Sequence, residues 1–93
     1  SSGGTGAAVA ALMTPIGIGT DTGGSSRIPA SVNGIIGFRP TKDRYSNEGL
    51  TAICNVRDTP GPIARNVQDI ILLDQVLSGK VFENKINNLK GLR

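Results

Sequence analysis

A chain of 93 residues has room for one small domain with a thin core, since a chain of this size buries only about 60–65% of its unfolded surface. Thirteen glycines against three aromatic residues supply little apolar area for such a core, so the composition points to a piece of a larger domain. The net charge of +3 sits wholly in the tail, with Lys80, Lys85, Lys90 and Arg93 against Glu83, and without interleaved aromatic residues it excludes a nucleic-acid surface.

The opening Ser1-Ser2-Gly3-Gly4-Thr5-Gly6 reads as a loop feeding a helix over Ala7–Met13, where alanine favours helix and Pro15 stops it. Ile16–Thr20 is a short buried strand, with glycines where side chains would crowd a neighbour. Asp21–Ser26 is a tight loop, and Ile28–Val32 forms a helical turn around Pro29. Gly34–Arg39 is a second strand closed by Pro40. Thr41–Glu48 is an exposed loop, and Leu50–Val56 has no clear period. Thr59-Pro60-Gly61-Pro62 reads as a turn. The strongest helix follows from Val67 to Leu77, with Gly79 as its stop. Its Ile70-Ile71-Leu72-Leu73 run predicts burial nearly all round, which needs covering layers beyond these residues. Residues 80–93 read as a polar linker to a further strand, so the chain is expected to be cut at both ends and not to fold stably alone.

Cys54 is the single cysteine, which excludes an intrachain disulfide, and with no histidine there is no metal site or Cys-His pair to build around it. A reducing, cytoplasmic setting is the natural expectation, with Cys54 an idle thiol. The longest apolar run, Ala7–Met13, is far short of the ~20 residues of a membrane span.

Two Gly-Ser clusters, Ser1-Ser2-Gly3-Gly4 and Gly23-Gly24-Ser25-Ser26, stand one helix and one strand apart. Glycines beside a serine let the backbone bend, expose the hydroxyl and turn successive N–H groups toward one point. The helix returns the chain and the strand brings Ser25 close to Ser1. A Walker-type loop would need a lysine after its glycines, a nucleophile elbow would need Gly-x-Ser-x-Gly, and a Ser-His-Asp triad would need a histidine; none is present. A glycine-rich anion-binding module, holding phosphate on the N–H groups around Gly23 and Gly24, and a non-catalytic docking fragment stay open as rivals.

The series Ser1-Ser2-Gly3-Gly4, Gly19-Thr20-Asp21-Thr22-Gly23-Gly24-Ser25-Ser26-Arg27-Ile28-Pro29-Ala30, Gly34–Thr41 and Asp58–Arg65 resembles the amidase signature family over about residues 1–80. The resemblance implies an α/β fold, a large central mixed sheet flanked by helices, of which this chain is a partial catalytic domain. It implies hydrolysis of a carboxylic amide by a Ser-cisSer-Lys triad without metal or organic cofactor. Carried over, Ser25 resembles the nucleophile, Ser1 the bridging serine 24 positions before it, and the N–H groups of Thr22, Gly23, Gly24 and Ser25 the oxyanion hole. The family's lysine lies upstream of the bridging serine, and Lys42, Lys80, Lys85 and Lys90 do not occupy its motif, so the chain alone is expected not to hydrolyse amides. Asp21 and Arg27 are expected to brace the loop, Ser2 and Ser26 to be hydrogen-bonding neighbours, and Asp58 and Arg65 to be loop and helix-start partners. The Arg44-Tyr45-Ser46 loop and the Arg57–Pro62 block most resemble mandelamide or indoleacetamide hydrolase-type amidases. The catalytic subunit of a glutaminyl-tRNA amidotransferase is the alternative. The implied partners are a small-molecule amide and the remainder of the parent polypeptide; neither nucleic acid nor membrane is expected.

Overall fold

The computed structural model describes residues 1–81, so the 80–93 linker lies almost wholly outside the described residues. Six elements follow in order: α1 (Gly3–Ala10), β1 (Ile16–Asp21), α2 (Arg27–Val32), β2 (Ile36–Gly37), β3 (Thr59–Ala64) and α3 (Val67–Ser78). The three strands form one antiparallel sheet in the order β1-β3-β2, within an α/β arrangement.

β3 is the central strand, and all six of its residues are buried. The turn expected at Thr59–Pro62 is therefore a strand, and the reason is the parity of its prolines. A strand residue points its N–H and C=O to the same side. The Pro62 carbonyl accepts from the Phe38 N–H at 2.8 Å, so the positions without an N–H, Pro60 and Pro62, face the β2 side. The ladder to β1 rests on the alternate residues and runs its full length, from Ile16 opposite Ala64 to Asp21 opposite Thr59. β2 pairs only at Ile63 and Ala64, because beyond them β3 offers no donors. The same fact shortens the expected 34–39 strand to two residues.

The register gathers four glycines on one face of the sheet, Gly19 opposite Gly61 and both Gly17 and Gly37 opposite Ile63. A Cβ at Gly17 would collide with Thr5 of α1, and one at Gly37 would meet the Ser26 carbonyl at 2.6 Å and Ala30 of α2 at 2.7 Å. Bare backbone thus lets α1 and α2 lie directly on the strands. Val9, Ala30 and Ile63 form the buried centre of this layer, and Ala64, on the opposite face, is buried as well.

α1 starts four residues earlier than expected and ends at Ala10. Leu12 takes a left-handed conformation (φ 62°) and the Met13 N–H returns to the Ala8 carbonyl at 3.0 Å, which closes the helix before Pro15 is reached. Arg65, expected at the start of α3, instead sends its guanidinium back to the carbonyls of Val9 and Thr14, at 2.8 and 2.9 Å, and covers the end of α1.

α3 matches its expected boundaries to within one residue. Asn66 accepts from the Asp69 N–H at 2.8 Å as N-cap, and Gly79 closes the helix in the left-handed region (φ 66°). Burial all round is not what α3 shows. Ile70, Leu73 and Asp74 are buried, whereas Val67, Leu72 and Val76 are exposed by half or more, because among the described residues the helix packs on β3 and the 44–45 loop and nothing covers its outer side. Asp74, set in the apolar stripe, is held by a bidentate pair with Arg44, both contacts at 2.6 Å, and by the buried Tyr45 hydroxyl, also at 2.6 Å. Burial pushes the Tyr45 phenol up, and the adjacent Asp74 carboxylate pushes it further.

Candidate active site

Gly19 stands opposite Gly61 where β1 approaches its end, and there the backbone is bare enough to admit two serines. A Cβ at Gly19 would lie 2.5 Å from Ser2 Oγ and 2.8 Å from Ser26 Oγ, and one at Gly61 would overlap Ser26 Oγ. Ser2 uses this space fully. Its hydroxyl accepts from the Thr20 N–H at 2.9 Å and donates to the Thr20 carbonyl at 3.3 Å, while its own N–H donates to the Ser25 carbonyl at 2.9 Å. These bonds fasten the start of the chain to both ends of the Asp21–Ser26 loop, so that Ser1, exposed, directly precedes the residue bonded to Ser25. Ser2 is the hydrogen-bonding neighbour that its sequence position suggests. Ser26 departs from that expectation, since its buried hydroxyl has no partner among the described residues.

β1 ends in Asp21, whose side chain is fully buried. Its Oδ1 accepts from the Gly24 N–H at 2.8 Å and Oδ2 from the Ser26 N–H at 3.3 Å, an arrangement a short loop can make because the side chain reaches its own backbone three and five residues on. Gly24 holds φ at +121°, a backbone state that an L side chain rarely adopts. Arg27 adds contacts at 3.0 and 3.2 Å from Nε and Nη2. Burial alone would push the Asp21 carboxyl up, but the Arg27 hydrogen bonds, the two N–H groups and the Arg27 charge together hold it well below the usual carboxylate range. Asp21 and Arg27 are in contact as the sequence reading expected. Arg39 completes the set: its Nη1 bonds both the Asp21 carboxylate, at 2.9 Å, and the Asp21 carbonyl, and its Nη2 bonds the Arg57 carbonyl at 2.7 Å. Sequence reasoning gave Arg39 no role, because it lies 18 positions from both Asp21 and Arg57.

A second carboxylate braces the other side of the loop. Asp58 accepts from the Thr22 hydroxyl and from the N–H groups of Ile53 and Cys54, each of the latter at 2.7 Å. The Thr22 bond foremost, then these two N–H groups, lower its pKa against the opposing effect of burial. Asp58 is thus the loop partner that the sequence suggested. Its partner was not foreseen, and it ties the 53–58 segment to Thr22.

With Asp21 and Asp58 satisfied, the loop's N–H groups divide into two sets. Gly24 and Ser26 donate inward to Asp21, whereas those of Thr22, Gly23 and Ser25 have no partner among the described residues. The Ser25 hydroxyl is likewise without a hydrogen bond there, on a turn that is half-buried. A half-buried hydroxyl beside unengaged N–H groups can attack a carbonyl carbon while its oxygen is held by those donors. The groups named as an oxyanion set on sequence grounds include Gly24, whose N–H is already taken. Lys42 pairs with its neighbour Asp43 at 2.5 Å, and no lysine bonds Ser1 or Ser25 among the described residues. No group of three His, Cys, Asp or Glu side chains among them could hold a metal.

A family model described as Amidase matches residues 1–88. The chain belongs to the amidase signature family. It is 60% identical over 79 residues to mandelamide hydrolase of Pseudomonas putida, covering 85% of this chain and 16% of that protein. It is 48% identical over all 93 residues to indoleacetamide hydrolase of Rhizobium radiobacter, covering 20% of the latter. A glutamyl-tRNA(Gln) amidotransferase subunit of Thermobifida fusca is 56% identical over 79 residues, covering 85% of this chain and 16% of that protein. A crystal structure of an amidase superposes with a TM-score of 0.86 at 43% identity, covering 89% of this chain and 19% of that one. The chain spans a sixth to a fifth of the length of these amidase relatives, and the described part of it contains no helix long and apolar enough to cross a membrane.

Proposed function

We propose that the complete enzyme carrying this sequence hydrolyses an arylacetamide-type carboxylic amide to its acid and ammonia, with Ser25 as nucleophile. The observation that carries this reading is the division of the loop N–H groups. Asp21 takes Gly24 and Ser26, and the groups of Thr22, Gly23 and Ser25 remain for a substrate oxygen. The identities to mandelamide and indoleacetamide hydrolases support the substrate class.

In this mechanism the Ser25 hydroxyl passes its proton to Ser1 Oγ as its oxygen attacks the amide carbon. Ser1 passes its own proton to a neutral lysine, the family's base, which desolvation keeps able to accept. The carbonyl oxygen becomes an oxyanion on the three N–H groups, each worth on the order of 3–4 kcal/mol if lost. The C–N bond then breaks, the proton returns to the leaving nitrogen, and water repeats the sequence to release the acid. Asp21, with Arg27 and Arg39, keeps the donors in place before substrate arrives. A single unpaired thiol, Cys54, suits a cytoplasmic setting for this chemistry.

The test is labelling of the complete enzyme with a fluorophosphonate probe. Ser25→Ala is expected to abolish labelling and turnover, and Ser1→Ala to slow acylation while leaving residual reaction. Labelling that survives Ser25→Ala overturns the assignment. The identity to the amidotransferase protein favours a second reading, in which the released ammonia passes to another substrate. Hydrolysis of glutamine in preference to an arylacetamide by the complete enzyme would select it.

A further inference from the structure

The Arg57 side chain takes no part in the Asp21 network, yet its guanidinium reaches the nucleophile loop. A Cβ placed on Gly23 would meet Arg57 Nη2 at 3.7 Å and nothing else within 4 Å, so the space over Gly23 is open except where this cation stands. The backbone that carries it is fixed from several sides. The Arg57 N–H donates to the Cys54 carbonyl at 2.8 Å, and its carbonyl accepts from Arg39 at 2.7 Å. The next residue, Asp58, is clamped to Thr22, Ile53 and Cys54. The side chain itself is exposed, and among the described residues it enters no ion pair and makes no hydrogen bond. A cation with a rigid base and no partner, beside N–H groups that are also without partners, is arranged to meet negative charge that develops there.

We propose that Arg57 is a second electrostatic element of the hydrolytic site, its guanidinium approaching the substrate carbonyl oxygen over Gly23 as that oxygen gains charge. The inference rests on the reading of Ser25 and its loop as the nucleophile site. A guanidinium suits this position because it stays protonated throughout the working range and presents a flat fork of donors. Its contribution grows with charge on the oxygen, so it acts on the transition state more than on the bound amide. Solvent screening of an exposed cation keeps the effect below the roughly 10²–10³-fold of a lost oxyanion-hole donor.

The experiment uses the complete enzyme with Arg57→Gln, Arg57→Lys and Ser25→Ala, measuring kcat, KM, melting temperature and fluorophosphonate labelling. Arg57→Gln is expected to lower kcat about tenfold with KM within about twofold and the melting temperature unchanged. Arg57→Lys, which keeps the charge, recovers most of the rate. An unchanged kcat in Arg57→Gln overturns the inference, as does a rise in KM alone, which would make Arg57 a ground-state binding group. A fall in kcat that tracks a lower melting temperature overturns it too, because the side chain would then be structural. Labelling lost in Ser25→Ala but normal kcat in Arg57→Gln removes this inference and leaves the nucleophile reading standing, whereas labelling that persists in Ser25→Ala removes both.

Discussion

The two faces of the sheet differ in kind. On the face of Gly17, Gly19, Gly37 and Gly61, helices and serines rest on bare backbone, and the polar groups are largely matched: Asp21 alone takes contacts from Gly24, Ser26, Arg27 and Arg39. The face carrying Ile18 and Ile36 meets α3, which leaves a cavity of roughly 390 Å³ lined by Ile36, Phe38, Val67, Ile70 and Ile71, with Leu72 and Val76 turned outward. One face is finished by local, directional bonds. The other relies on apolar area that the described residues only partly cover. A site that must hold N–H groups to within a fraction of an ångström is better built from the first kind, since its geometry does not depend on how completely a core is packed.

The largest effect on this contrast is expected from Asp21→Asn. It leaves two guanidinium groups facing a neutral amide in a buried position, a change that costs about 3–5 kcal/mol when one partner of a buried pair is removed. Urea unfolding of the complete enzyme should show that loss, with activity falling alongside. Retained stability with lost kcat would mean that Asp21 serves the chemistry directly. The pH dependence follows from the same carboxylate. Its folded pKa lies below the ordinary 3.8, so its stabilisation is fully present above that value and is lost as pH falls through and below it. The acid limb of a stability profile should therefore be shallower in Asp21→Asn than in the parent.

Gly61→Ala tests the glycine face by packing alone. The new methyl would overlap Ser26 Oγ and stand 3.0 Å from the Phe38 carbonyl, so the strand or the loop must move. A cost of about 1–3 kcal/mol is expected, with kcat reduced because Ser26 adjoins Ser25. The smallest effect belongs to the α3 side. Asn66→Ala removes the N-cap and should cost about 1 kcal/mol in thermal unfolding while kcat stays unchanged. A change in kcat there would break the separation of the two faces.

What can be read from the residues follows sequence distance. α3 is legible from its period and its stop, both within thirteen positions, whereas its Asn66 cap appears only in the structure. The Asp21–Arg27 pair is legible because both flank one loop. Arg39 and the Thr22–Asp58 bond are not, since the partners lie 18 and 36 positions apart and only the sheet brings them together. β3 reads as a turn because proline and glycine are turn-formers locally, and whether a missing N–H matters depends on which neighbour that side of the strand faces. The serine spacing is readable as a pattern. The inward turn of the Gly24 N–H toward Asp21 is not, because a pattern of letters carries no direction for a backbone amide.

The prolines of β3 also govern what else can pair with this sheet. On the side of β3 that faces β2, Pro60 and Pro62 present no donors and the Pro62 carbonyl is taken by the Phe38 N–H, so the ladder cannot run on past Ile63. The strand that organises the site is in this way fully paired on one side and cut short on the other, and replacing either proline by an ordinary residue would restore an N–H donor there.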